Sequence, residues 1–154
     1  MNRRAFIGAG ALVALSAGGF VAADGQNLLY AAITENYPGS IITAPEAHAK
    51  AVSGEITLID IRRPDEWART GSGEGAHRID LRVDDFAARV QAAAGGDITA
   101  PIALICARGV RSARTSNQLI KAGFTNIIDV PEGMLGSPGG PGWIARGLPI
   151  VKDN

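Results

Sequence analysis

Ile102-Ala103-Leu104-Ile105-Cys106-Ala107-Arg108-Gly109-Val110-Arg111-Ser112-Ala113 is the stretch from which the rest of the chain can be ordered. Ile102 to Ile105 is a short, wholly apolar run, as expected of a strand buried on both faces at the centre of a sheet. Ser112 to Ala122 follows with Ala113, Leu119, Ile120 and Ala122 apolar and Gly123 just past the end, which predicts a helix packed back on that sheet. Between the two lies a loop free of proline.

Working outward, the same alternation recurs on both sides. Ile127 to Val130 predicts the next strand. Upstream, Thr43 with Glu46 three residues later and Pro45 between them predicts a capped helix ending near Gly54. Ile56-Thr57-Leu58-Ile59-Asp60 then reads as a buried strand. Pro64, Asp65 and Glu66 open a short helix that Gly71 closes. A glycine-rich loop, Gly71 to Gly75, leads to a short strand from Ala76 to Asp80. Asp84 or Asp85 caps a helix through Phe86, Val90 and the alanines at 92–94, which Gly95-Gly96 stops. Gly136 to Gly142 is a loop, followed by a short helical piece at Trp143 to Arg146. Strands separated by helices indicate an α/β domain with a mostly parallel sheet and helices on its faces.

Composition narrows the function. The 154 residues carry 15 Lys+Arg against 15 Asp+Glu, and 5% are aromatic, so the basic footprint of a nucleic-acid binder is missing. One cysteine rules out an intramolecular disulfide and a cysteine-rich metal site. His48 and His77 are too few and too far apart to suggest a metal centre, and neither a metal nor a cofactor is expected. Residues 1–23 look like an export signal: Arg3 and Arg4 form a basic start that resembles a twin-arginine signal, Ala5 to Ala23 carries no charge, and Val21-Ala22-Ala23 offers small residues for cleavage. The expected organisation is a signal at 1–23, an arm at 24–40 and one domain at 41–154, with a periplasmic address. The alternative is an uncleaved N-terminus anchoring the chain, since the uncharged run is close to the roughly 20 residues needed to span a bilayer. Cleavage leaves a mildly acidic domain with no stable membrane association.

In a parallel sheet, chemistry collects where strands end and helices begin, because helix N-termini offer unpaired N–H groups and partial positive charge. Here that place holds the only thiol of the chain. The N–H groups of Ala107, Arg108, Gly109, Val110, Arg111 and Ser112 are free of proline, and Gly109 can take the positive φ that curls a short loop into a cradle. Arg108 and Arg111 flank Cys106. Dipole, loop amides and guanidinium groups together favour a thiolate, the form in which cysteine is a nucleophile. A lone cysteine at a strand end can also be a small buried apolar residue.

These residues carry a resemblance. Cys106-x-x-Gly109-x-Arg111-Ser112 is similar to the active-site loop of single-domain rhodaneses. Asp60-Ile61-Arg62 with Pro64, Glu66 and Trp67 resembles that family's Asp-x-Arg segment, and Gly147-Leu148-Pro149-Ile150 its closing Gly-Leu-Pro-Val. The resemblance implies a five-stranded parallel sheet with helices on both faces and a sulfurtransferase that moves sulfane sulfur from thiosulfate or a related donor to cyanide or a thiol through a Cys106 persulfide. It implies Cys106 and Arg111 as catalytic residues, with Ala107, Arg108, Gly109, Val110 and Ser112 contacting substrate and Asp60 and Arg62 bracing the loop. Two departures stand out. Gly71-Ser72-Gly73-Glu74-Gly75-Ala76 lacks the family's frequent His and Pro, predicting a more mobile segment, and Gly133-Met134 is separated from Trp143 by an insertion at Leu135 to Gly142. A sulfur carrier serving a protein acceptor remains an alternative. A cysteine phosphatase or arsenate reductase is the other, although its loop places Arg one position later than Arg111.

Overall fold

The computed structural model describes residues 17–152. In chain order the elements are α1 (Ala17–Ile33), β1 (Ser40–Ile41), α2 (Ala44–Ser53), β2 (Thr57–Asp60), α3 (Pro64–Thr70), β3 (Ser72–Gly73), β4 (Ala76–Arg78), α4 (Phe86–Ala93), β5 (Ile102–Ile105), α5 (Val110–Lys121), β6 (Ile127–Asp129) and β7 (Ile150–Val151). Five strands form one parallel sheet in the order β1-β6-β5-β2-β4, with Leu104 opposite Ile59 on one side and Asp129 on the other. The expected central position of Ile102 to Ile105 is what the sheet shows.

Strand alternation divides the core into two layers. Leu58, Ala103, Ile105, Ile128 and Val130 point to one face, where Ala44 and Ala47 of α2 pack with Met134 and Trp143. Ile59, Ile102, Leu104, Cys106 and Ile127 point to the other, against Val90 of α4, Leu119 of α5 and Phe124. Helices therefore cover both faces, and Cys106 belongs to the face roofed by α5. Each fully buried Leu or Ile contributes about 1.5–3 kcal/mol, so the strands are held by their side chains as much as by their ladders.

The helix punctuation follows the sequence closely at α2. Thr43 and Glu46 form the reciprocal capping box, and Gly54 closes the helix at φ 79°. At α4 the mechanism differs from expectation: Asp85 stands at the cap but makes no capping bond, because its Oδ1 accepts from Arg89 Nε at 2.8 Å instead. α5 starts at Val110, two residues earlier than expected, since Gly109 at φ 80° already turns the chain into the helix.

Three short strands were not expected. β1 is one, on the edge beside β6. The others are β3 and β7, which pair antiparallel, Ser72 with Val151 and Gly73 with Ile150. The segment expected as a mobile glycine loop is thus partly a buried strand, and Gly73 lies so close to the Trp143 ring that a Cβ there would come within 2.5 Å of it. The expected export signal lies outside the described residues except for 17–23, which begin α1. Residues 24–33 of the expected arm continue that helix. No helix among the described residues is long and apolar enough to cross a membrane.

Candidate active site

Cys106 leaves the end of β5 and is 1% exposed. Three residues on, the chain turns through Gly109, whose N–H donates to Cys106 Sγ at 3.2 Å. Only glycine fits there: besides the positive φ, a Cβ would stand 2.2 Å from the Pro131 carbonyl oxygen. Ser112 lies over the sulfur, its hydroxyl 3.6 Å from Sγ and donating to the Gly109 carbonyl at 3.1 Å. In the first turn of α5, the N–H groups of Val110, Arg111 and Ser112 have no carbonyl within the helix to bond, so the positive end of the helix faces the loop. Ala107, Arg108 and Val110 complete the loop.

Arg111 reaches over the loop and meets Glu66 of α3 in a two-pronged pair, both N–H···O distances 2.7 Å. Burial pushes the Glu66 carboxyl up, but Arg111, with the Arg63 amide, outweighs it and holds it below its ordinary range. The same pairing, together with the Cys106 and Asp60 charges nearby, raises Arg111 against the burial that opposes it. Glu66 is the partner that the sequence reading did not assign to the site.

Asp60 and Arg62 are both buried and paired, with Arg62 Nη2 2.7 Å from Asp60 Oδ2. Arg62 also donates to Thr70 Oγ1 at 2.8 Å and to the Gly71 carbonyl at 2.6 Å. It therefore pins the end of α3, the helix that carries Glu66, to the end of β2. Among the described residues, neither has a hydrogen bond to Cys106 or its loop; what they hold in place is the helix that carries Glu66.

The insertion forms a collar. Met134 and Leu135 donate their N–H groups to the carbonyls of Cys106 and Ala107, each at 2.9 Å. Gly133 at φ 64° is needed for this approach, because a Cβ would come 2.5 Å from the Ala107 oxygen. Behind it, Glu132, 1% exposed, accepts from Ala44 N at 2.7 Å, Gly142 N at 2.8 Å and Arg146 Nε at 2.7 Å, tying both ends of the insertion to α2. Arg108, expected among the residues contacting substrate, donates to the Gly136 carbonyl at 3.0 Å and stacks over the Tyr30 ring of α1 at 5.1 Å.

A cavity of about 270 Å³ opens onto Cys106, lined by the loop, by Arg108 and Arg111, and by Tyr30 and Ile33. On the other side of Gly109 is a second cavity of about 390 Å³ where Asp129, Tyr37 and Pro131 meet. Asp129 Oδ1 is buried with no hydrogen-bond partner. Burial pushes this carboxyl up to about 6, although the Ser112 hydroxyl and Val130 amide pull the other way. His48 is used structurally, 2.8 Å from Glu74 and edge-on to Trp143.

The family model for the Rhodanese-like domain matches residues 43–136, which hold β2, β5, the cysteine loop and the start of the collar. No curated protein matches the sequence. The fold is similar to the polysulfide-sulfur transferase homodimer of Wolinella succinogenes, at 21% identity and TM-score 0.57 over 89% of this chain and 92% of that one. It is also similar to thiosulfate sulfurtransferase from Pseudomonas aeruginosa, at 21% identity and TM-score 0.58 over 75% of this chain, which spans only 21% of that longer protein. A Rhodopseudomonas palustris protein described as a possible tyrosine phosphatase matches at 23% identity and TM-score 0.54, over 73% of this chain and 85% of that one. With the family match covering more than half its length and the parallel sheet presenting Cys106 at its centre, the chain belongs to the rhodanese-like domain family.

Proposed function

We propose that this protein is a sulfurtransferase that carries sulfane sulfur as a persulfide on Cys106, with thiosulfate or a related donor and with cyanide or a thiol as acceptor. The observation that carries the reading is the Gly109 N–H aimed at Sγ from 3.2 Å, at the floor of a cavity that also holds Arg111. A sulfur atom on Cys106 needs stabilisation of one anionic centre, which this short loop and the α5 N-terminus supply.

In the first half-reaction the Cys106 thiolate attacks the outer sulfur of thiosulfate. The new S–S bond forms as the old one breaks, and its electron pair leaves on sulfite. Arg111 draws the anionic donor to the cavity, and Glu66 keeps the guanidinium in place. In the second half-reaction cyanide attacks the terminal sulfur, giving thiocyanate and restoring the thiolate; a thiol acceptor leaves with the sulfur as its own persulfide. The phosphatase and arsenate reductase alternative fits less well. Its loop places the arginine one position further from the cysteine than Arg111 stands from Cys106.

The proposed address is the periplasm, supported by Arg3, Arg4 and the uncharged run to Ala23. Cleavage after Ala23 keeps Tyr30 and Ile33 on the mature chain. The test is steady-state kinetics with thiosulfate and cyanide: parallel double-reciprocal lines, lost in Cys106→Ser, support two half-reactions through a covalent intermediate. Hydrolysis of an aryl phosphate or reduction of arsenate, without thiocyanate formation, overturns the proposal. Persulfide formation that discharges only to a protein thiol selects the carrier alternative.

A further inference from the structure

Resting on the persulfide reading, we propose that α1 sets the size of the acceptor through Tyr30 and Ile33, admitting a small anion or thiol and keeping out a thiol carried on a polypeptide. Cys106 is 1% exposed, so the sulfur is approached through the cavity of about 270 Å³, and Tyr30 and Ile33 form one of its walls. Cyanide or a small thiol fits in that space beside α1, whereas a peptide chain with its flanking residues meets Tyr30 and Ile33 on the way to the sulfur.

The wall is anchored just past its C-terminal end. Glu35 Oε1 accepts from Arg114 Nε at 2.9 Å, the Asn36 carbonyl accepts from Asn117 Nδ2 at 3.0 Å, and the Tyr37 hydroxyl donates to the Ile127 carbonyl at 2.6 Å. Arg108 ties this wall to the collar: its guanidinium stacks on Tyr30 while Nη1 donates to Gly136. Ile33 sits on the rim, 46% exposed, where it meets whatever enters.

The experiment uses the mature protein and Tyr30→Ala, Ile33→Ala and the double variant. Each is loaded with thiosulfate, and the persulfide is discharged in parallel by cyanide and by a decapeptide with one cysteine. A second arm alkylates Cys106 with iodoacetamide and with a polyethylene-glycol maleimide, which asks about access without any persulfide. The expected result is a rise of about tenfold in the bulky-to-small rate ratio for the double variant in both arms, the scale of pocket-size discrimination. Glu35→Ala, which releases Arg114 at the surface, moves the ratio the same way. A ratio within about twofold of the parent protein in both arms overturns the proposal, as does an equal change in the small and bulky rates. If no persulfide forms in the parent, the functional reading fails and the alkylation arm alone decides the role of α1.

Discussion

Replacing Gly109 by alanine tests the loop where its geometry is least forgiving. The new Cβ would lie 2.2 Å from the Pro131 oxygen, so the loop and the β6 exit must separate by about 1.2 Å to reach an ordinary contact. Alanine at φ 80° adds roughly 1 kcal/mol of backbone strain. Moving residue 109 away from Pro131 shifts its N–H against Sγ, and a bond that starts at 3.2 Å leaves hydrogen-bonding range with such a displacement. Misplacement of about 1 Å at a reacting centre costs around 10²-fold in rate, and the overpacked loop costs about 1–3 kcal/mol in stability. The assay is stopped-flow sulfite release from thiosulfate, with urea unfolding on the same samples. A Gly109→Ala protein that stays folded and loads sulfur within a few-fold of the parent rate would refute the cradle argument.

Three other perturbations follow from the buried charges. Arg62→Met strands Asp60, which is fully buried, and removes the donors to Thr70 and Gly71; a loss of about 3–5 kcal/mol in urea unfolding is expected, and a loss under 1 kcal/mol contradicts the bracing role. Asp129 ionises in the folded protein near pH 6 against 3.8 ordinarily, so the native state binds the proton more tightly and stability from this group falls as pH rises from about 4 to 6. Asp129→Asn is therefore expected to raise neutral-pH stability by up to about 3 kcal/mol, a gain that fades toward pH 4; lower stability at pH 7.5 contradicts this sign. Arg111→Met and Glu66→Gln each raise the half-saturating thiosulfate concentration, and the double variant is less impaired than their sum by about 1–2 kcal/mol of coupling; additive effects show that the pair does not act as a unit.

What could be read in the sequence was whatever a local pattern carries. The apolar run Ile102 to Ile105 and the Gly109 turn define β5, the loop and α5 without reference to any distant residue. The capping box of Thr43 and Glu46 is equally local, and its two bonds form as the spacing predicts. The β1, β3 and β7 strands are two residues each, too short for any period to show, and exist only because a neighbouring strand offers an edge. Site electrostatics were hidden for a related reason. Arg111 finds Glu66 across 45 residues and Glu132 finds Ala44 across 88, and such partners are chosen by topology. Arg108 is the instructive case: its charge was legible, but its use as a strut between Tyr30 and Gly136 depends on α1 and the collar converging over one loop.

The most direct test of the account is the intact mass of the purified protein after incubation with thiosulfate and removal of excess donor. The account predicts a gain of about 32 Da, one sulfur atom, located on the peptide containing Cys106, absent in Cys106→Ala and removed by cyanide. An unchanged mass in a folded protein, or added sulfur that survives replacement of Cys106, would contradict it.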